Sequence, residues 1–162
     1  MTADITSTET RPLAGPEVRL WLRLLTCTNE IEGELRRRLR QSFDVTLPRF
    51  DFLAQLDRAP EGLTMGQLSR NMMVTNGNVT GIAERLAAEG LIERKNSPGD
   101  KRTVRVTLTD EGREAFSRIA EVHHGWVEDL FDGLSVEERD QLASLLSRVK
   151  ASVANHTEDR AE

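Results

Sequence analysis

Residues 63–109 decide the fold, and they read LTMGQLSRNMMVTNGNVTGIAERLAAEGLIERKNSPGDKRTVRVTLT. Thr64 and Gln67 have the spacing of a capping box, in which a threonine starts a helix and a glutamine three residues later reaches back to it. Leu68, Met72 and Met73 then fall on one face of a short helix. The beginning of the stretch therefore predicts a short amphipathic helix from Thr64 onward.

A second helix is predicted directly after the first, with Thr75 or Asn76 as its N-cap. Its apolar positions recur at helical spacing, and they are Val79, Ile82, Ala83 and Leu86. Gly90 follows where the end of a helix favours a residue that tolerates left-handed dihedrals.

A hairpin is predicted after this pair of helices. Residues 91–95 have strand character, residues 97–100 contain a Pro-Gly turn, and residues 103–108 alternate. The alternation predicts that Val104, Val106 and Leu108 point inward. Two short helices with a tight junction and a β-wing form a winged helix-turn-helix, a shape that docks on duplex DNA. The predicted fold class is thus mainly α with a small antiparallel wing.

Long helices are predicted on both sides of this unit. A helix of about 27 residues starting at Gly15-Pro16 is longer than the average globular helix. Two more helices follow Thr109 and Ser135, and Ser135 and Glu138 have the spacing of a second capping box. We expect a disordered tail at 1–15, an N-terminal dimerisation helix at 16–45, and a DNA-binding domain at 46–109. C-terminal dimerisation helices at 110–154 and a tail at 155–162 complete the prediction. A second copy of the chain is the economical partner for these apolar helices, so we expect a two-fold dimer.

The charge distribution is uneven. The chain carries a net charge of −5, but residues 64–108 hold seven basic and four acidic side chains, so this segment is positive. The excess of cations therefore lies in the segment that is predicted to contact the phosphates of DNA. No apolar run approaches the length of a membrane span, and no signal segment begins the chain, so we expect a cytoplasmic protein without a membrane partner.

The whole pattern resembles the MarR family of bacterial transcriptional regulators. The most specific part is Asp100-Lys101-Arg102 followed by residues 104–112, VRVTLTDEG, which are similar to the family's D-x-R wing and its V-x-L-T-x-x-G continuation. The resemblance covers residues 17–153. It implies a homodimer on a near-palindromic operator, usually repressing until a small ligand or an oxidant changes the half-site spacing. Residues 21–78 also resemble the branch that responds to hydroxycinnamoyl-coenzyme A thioesters.

Two groups of residues are predicted to meet DNA. Arg102 would enter a narrow A·T-rich minor groove, Lys101 would contact phosphate, and Asp100 would orient an arginine, either Arg102 or Arg85. On the second helix of the motif, Thr75, Asn76, Asn78 and Thr80 would face the major groove, where asparagine pairs with adenine. Gly77 is predicted to face the major groove as well. Gly77 and Gly81 depart from the family's pattern, because many relatives carry Ser and Arg at these two positions.

An effector is predicted between the first, second and fifth helices, where the family resemblance implies the pocket to lie. An aromatic acid or its coenzyme A thioester, such as p-coumaroyl-coenzyme A, would meet aromatic rings and arginines there. Phe52 is an additional candidate for the lining. The predicted ligand-binding residues are Arg19, Trp21, Arg23, Arg36, Arg40, Arg49, Phe50, His123 and Trp126.

Other functions are weaker alternatives. Cys27 could sense oxidants, but a helical cysteine beside Leu25 is more typical of a buried apolar residue. His123 and His124 are adjacent on a helix and make a poor chelating pair, so neither a metal nor another cofactor is expected. The sequence contains none of the common catalytic motifs, so an enzyme is not predicted. An architectural protein that binds DNA without sequence preference remains an open alternative.

Overall fold

The computed structural model describes residues 15–72, 76–97 and 100–158. Of Asn76, Ser97, residues 100–103 and residues 157–158 it describes the backbone only. The helices and strands are α1 (Pro16–Phe43), α2 (Leu47–Asp57), α3 (Met65–Met72), α4 (Asn76–Ala88), β1 (Ile92–Ser97), β2 (Asp100–Leu108), α5 (Asp110–Leu130) and α6 (Val136–Glu158). The predicted class, mainly helical with a two-stranded antiparallel wing, is confirmed.

The hydrophobic core lies where α2, α3, α4, the base of the wing and the first half of α5 meet. α1 contributes to it near its C-terminal end, through Leu39. Phe52 is fully buried in this core. Its predicted role as lining of a ligand pocket is therefore wrong, because its ring fills the space between the helices of the DNA-binding unit. The largest fully buried side chains are Phe52, Leu39, Leu56, Leu68, Leu86, Val79 and Val106.

The predicted helix ends are confirmed by their hydrogen bonds. The Thr64 backbone N–H donates to Gln67 Oε1 at 2.9 Å, and the Gln67 N–H donates to Thr64 Oγ1 at 3.2 Å. Ser135 and Glu138 form the same reciprocal pair at the start of α6. Gly90 ends the α4 segment at φ +74°, a left-handed conformation that glycine adopts without a steric penalty.

The wing pairs Ile92 with Leu108 and continues to Asn96 with Val104, where the register becomes irregular. Val106 and Leu108 are buried, as the alternation predicts. Val104 is 44% exposed, so its predicted inward position is wrong. Among the described residues, no helix covers that face of the hairpin at this point.

The N-terminal half of α1 and most of α6 lie outside the core. Cys27 is exposed, which contradicts its prediction as a buried apolar residue, because none of the described residues covers this part of α1. The α6 helix continues to Glu158, so the predicted tail from residue 155 begins too early. His156 Nδ1 lies 2.7 Å from the carbonyl oxygen of Ser152, one turn earlier, within this extension.

Candidate nucleic-acid interface

The second helix of the helix-turn-helix motif, α4, has one buried and one exposed face. Val79, Ala83 and Leu86 pack into the core with no exposed surface. The opposite face is polar and open, and its described side chains and glycines are Gly77, Asn78, Thr80, Gly81, Glu84 and Arg85. The structure therefore places Gly77, Asn78, Thr80 and Arg85 of the predicted DNA-binding set on one solvent-facing surface.

Gly77 and Gly81 lie on this exposed face. A Cβ built on either residue would meet no atom within 4 Å. The absence of side chains here is therefore not imposed by packing within the chain. It leaves the α4 backbone accessible to a close approach by another molecule.

The wing contributes further basic groups. Arg94 on β1 is exposed, while Lys95 is ion-paired with Glu93. Asp100, Lys101 and Arg102 belong to β2 by their backbone, and their side chains lie outside what the structure describes. Among the other predicted contacts, Thr75 lies outside the described residues, as does the side chain of Asn76.

Arg70 is a further basic residue of the motif, and it is not among the predicted DNA contacts. It lies in the last turn of α3, the first helix of the motif, and its side chain is exposed. The first helix of such a motif crosses the DNA backbone, so an exposed cation on it is a candidate for a phosphate contact. The signal was available in the sequence, because Arg70 is a cation two residues beyond the buried Leu68.

An aromatic cluster joins α1, α2 and α5. The ring of Phe50 stacks on His123 with centroids 4.3 Å apart and lies 5.5 Å from Phe116. Trp126 lies 6.0 Å from Phe43 and 6.4 Å from His123. Of the predicted ligand-binding residues, the structure thus brings together Phe50, His123 and Trp126.

Partial burial lowers the pKa of His123 below its ordinary value of 6.5, and the charge of the adjacent His124 acts in the same direction. The imidazole is therefore held in its neutral form against Phe50 at neutral pH. Among the described residues, no group of three His, Cys, Asp or Glu side chains is arranged to hold a metal ion.

The predicted ligand residues on the N-terminal half of α1 do not join this cluster. Trp21 is 59% exposed, and it precedes Phe43 by 22 positions in one continuous helix. At 1.5 Å per residue this places it about 33 Å from Phe43 along the axis. Arg19 and Arg23 lie on the same segment. The predicted pocket cannot contain all nine residues within one chain, because a straight helix separates them.

Most of the arginines in the run from 36 to 40 are held by acids of the chain itself. Arg36 lies 3.5 Å from Glu32, and Arg38 links Glu34 of α1 to Asp129 of α5. Hydrogen bonds from Arg37 and Arg38 lower the pKa of Glu34 to about 2. Arg40 is exposed in the last turn of α1. This run is thus largely a network of surface ion pairs, as charged helix faces usually are.

Arg49 also differs from its predicted role as a partner for an anionic ligand. Its guanidinium forms an ion pair with the carboxylate of Glu89, the residue that follows α4. The anion that Arg49 meets is therefore part of the same chain.

Comparisons with known proteins agree with this geometry. The family model described as "MarR family" matches residues 43–103. The HTH-type transcriptional regulator PecS of Dickeya dadantii is 33% identical over 116 residues, which cover 70% of each protein. An HTH-type transcriptional regulator of Bacillus cereus strain ATCC 10987 is 32% identical, over 80% of this chain and 86% of the relative.

Solved structures show the same similarity. A MarR family transcriptional regulator from Silicibacter pomeroyi is 34% identical, with a TM-score of 0.71 over 85% of this chain and 94% of that one. Sco3205 from Streptomyces coelicolor, a MarR family regulator solved in complex with DNA, is 27% identical, with a TM-score of 0.75 over 90% and 92% of the two chains. Streptococcus pneumoniae FabT, also solved in complex with DNA, is 28% identical, with a TM-score of 0.70 over 86% and 98%.

The fold and the exposed face of α4 define a winged helix-turn-helix regulator of transcription, and the relatives named above are regulators, not enzymes. Within that class, the chain belongs to the MarR family. The comparisons do not support the narrower resemblance to the hydroxycinnamate-responsive branch. In the part of the chain that the structure describes, no helix has both the length and the apolar composition that crossing a bilayer requires.

Proposed function

We propose that the protein is a homodimeric repressor that binds a near-palindromic operator through α4 and the wing, and that a small effector releases it. The observation that carries this proposal is the exposed face of α4, where Asn78, Thr80 and Arg85 stand opposite the buried Val79 and Leu86. Asparagine and arginine side chains read base edges in the major groove. The DNA complexes of Sco3205 and FabT support the proposal.

The dimer is supported by apolar surface that one chain leaves uncovered. Leu20 and Leu24 of α1 line a groove with residues of α6. Two copies of this surface would bury each other and would place two α4 helices about 34 Å apart, one turn of DNA. The exposed large apolar side chains of the two helices are Val18, Leu20, Trp21, Leu22, Leu25, Val136, Leu145, Leu146, Val149 and Val153.

Sedimentation equilibrium tests the dimer directly. We expect the wild-type protein to be a dimer at micromolar concentration, and Leu146→Glu to dissociate it because a charge would be buried at the contact. Arg118→Glu, on the exposed side of α5, is the control. A wild-type monomer would contradict the proposal.

DNA binding is tested by selecting an operator from a random duplex library with the wild-type protein. A gel-shift titration at fixed salt then compares the selected duplex with a scrambled one. We expect a preference of about 10³-fold or more, as a specific regulator requires. Equal affinity for both duplexes would instead favour the alternative of an architectural protein.

The effector is proposed to be an aromatic acid or its coenzyme A thioester. The cluster of Phe50, His123 and Trp126 supports this class, because aromatic rings at a helix junction provide stacking surfaces for a planar ligand. Thermal-shift measurements with p-coumaroyl-coenzyme A and with p-coumarate, against free coenzyme A as the control, test it. If p-coumaroyl-coenzyme A neither raises the melting temperature nor releases the operator, aromatic acyl-coenzyme A thioesters are excluded as effectors.

Oxidation of Cys27 is a second candidate for the release signal, and the exposure of this residue favours it. An accessible thiol on α1 lies beside the apolar surface assigned to the dimer, so its modification could alter the separation of the two DNA-binding units. Treating the wild-type protein and Cys27→Ser with peroxide, and measuring operator binding by gel shift, distinguishes release through Cys27 oxidation from release that does not need this cysteine. Release of DNA from both proteins would exclude Cys27 as the sensor.

A further inference from the structure

The end of the recognition helix α4 is attached to α2 by one ion pair. Arg49 Nη2 of α2 is hydrogen-bonded to Glu89 Oε2. The backbone N–H of Glu89 donates to the carbonyl of Arg85 at 3.0 Å, so Glu89 continues the hydrogen bonding of α4 by one residue. The Glu89 carboxylate therefore links the end of α4 to α2.

The guanidinium of Arg49 is largely removed from water. Its side chain is 22% exposed, and its Nε is a buried nitrogen without a hydrogen-bond partner among the residues that the structure describes. Glu89, whose side chain is 44% exposed, is the acid that pairs with this partly desolvated cation. The cation also lies at the C-terminal end of α4, where the helix dipole favours positive charge.

With the exception of Arg38–Asp129, the other arginine and lysine ion pairs in residues 15–72, 76–97 and 100–158 each lie within one helix or strand. Arg36–Glu32 and Arg37–Glu34 both lie within α1, and such exposed pairs contribute little. Arg38–Asp129 does join two helices, but the Asp129 side chain is 70% exposed. The Arg49–Glu89 pair spans 40 positions of sequence and ends on the helix that carries the DNA-facing residues.

Helix α2 has a second contact next to this pair. Phe50, the neighbour of Arg49, is buried and stacks on His123 of α5. Through these two consecutive residues α2 holds α5 on one side and the end of α4 on the other. The orientation of α4 relative to α5 therefore depends on Arg49 as well as on the apolar face of α4.

We infer that Arg49 and Glu89 are a positioning pair that sets the orientation of α4 for operator binding, an inference that rests on the proposed function. Neither residue contacts DNA in this role. The loss of either one lets the C-terminal end of α4 shift relative to α2 and α5. Gly81 and Arg85, on the exposed face, lie about 12 Å and 6 Å from this attachment along the helix axis, so a small tilt displaces them.

The experiment uses the full-length protein and an operator duplex of about three helical turns that the wild-type protein has selected from a random library. We compare Arg49→Gln, Glu89→Gln and the double variant by gel shift at several salt concentrations. Arg37→Gln, which removes the exposed pair with Glu34 on α1, is the matched control. Urea unfolding of each variant establishes that it is folded under the assay conditions, and the uncharged Arg49→Met replaces Arg49→Gln if the latter is not.

We expect each single variant to bind the operator about tenfold more weakly, equivalent to about 1.4 kcal/mol. The double variant should be no weaker than either single one, because both changes remove the same contact. The salt dependence should keep its slope, whereas loss of a phosphate contact would reduce it by about 0.9. Arg37→Gln should bind like the wild type.

Wild-type affinity in both single variants would overturn the inference, and so would additive losses in the double variant. A reduced salt slope for Arg49→Gln would also overturn it, because Arg49 would then act as a direct phosphate contact. These results are distinguishable from failure of the proposed function, in which the wild-type protein itself selects no preferred duplex.

Discussion

Gly112, in the first turn of α5, lies directly against the backbone carbonyl of Leu91, which connects α4 to the wing. A Cβ on Gly112 would be 1.9 Å from the Leu91 oxygen and 2.8 Å from its carbonyl carbon. The same carbonyl accepts a hydrogen bond from the Thr109 N–H at 3.1 Å, and the Gly112 N–H donates to Thr109 Oγ1 at 2.9 Å. The glycine of the V-x-L-T-x-x-G continuation is thus required by close packing between the end of the wing and α5.

Substitution of this glycine should therefore be costly. We expect Gly112→Ala to lower the free energy of unfolding by about 2–3 kcal/mol, because backbone atoms would have to move to admit the methyl group. Urea unfolding followed by circular dichroism measures the change. Gly125→Ala in the same helix is the control, since a Cβ there meets nothing within 4 Å. Equal midpoints for the two variants would show that the Gly112 contact is not as close as described.

The two glycines of α4 should behave in the opposite way. Gly77→Ala and Gly81→Ala should each raise the free energy of unfolding by about 0.5–1 kcal/mol, because alanine is the better helix former and both sites are open. If the α4 backbone approaches DNA closely, the same changes should weaken operator binding. Gly33→Ala on α1, also in open space, should be stabilising without an effect on affinity. Unchanged operator binding by both α4 variants would exclude a close backbone approach.

Stability should depend on pH through His123. Its pKa is lowered in the folded protein, so the unfolded chain takes up the proton first, near the ordinary value of 6.5. The free energy of unfolding should therefore be highest above that pH and should fall as the pH decreases below it. We expect the urea midpoint of the wild type to drop between about pH 8 and about pH 6, and that of His123→Phe to drop less. Identical pH profiles for the two proteins would show that His123 does not titrate differently on folding.

Arg102 at the wing is predicted to enter a minor groove. Arg102→Ala should weaken operator binding about tenfold or more, in line with the loss of one specific arginine contact. The loss should be larger for operators with A·T-rich flanks, whose narrow minor groove attracts a guanidinium. A gel-shift titration at fixed salt with A·T-rich and G·C-rich flanks provides the measurement, with Arg118→Ala as the control. Unchanged affinity on both duplexes would rule out a wing contact by this residue.

The features that were predictable from sequence are those that depend on a few neighbouring residues. The capping boxes at Thr64 and Ser135 each involve two residues three positions apart, and both form as predicted. The buried faces of α4 and of the base of the wing follow from periodicity, because Val79, Leu86, Val106 and Leu108 recur at the spacing of a helix or a strand. The family's wing motif further identified the class of protein.

The residues that were placed wrongly depend on where an element ends relative to the core. Val104 has the alternation of a buried strand residue, but the hairpin extends past the last helix that could cover it. Cys27 was predicted to be buried because it lies in a helix near Leu25, yet the described residues leave this part of α1 uncovered. Phe52 was assigned to a ligand pocket because it is aromatic, and the packing of α2 buries it in the core.

The sequence by itself determined the order of the elements, the starts of α3 and α6 and the face of α4 that is buried, because hydrogen bonds and apolar periodicity act over short distances along the chain. Only the tertiary structure decided that Arg49 meets Glu89, that Phe50 stacks on His123, and that Trp21 lies far from both. These relationships join residues far apart in sequence. They are set by how whole helices pack, and a pattern read along one segment contains no information about the segment that lies across from it.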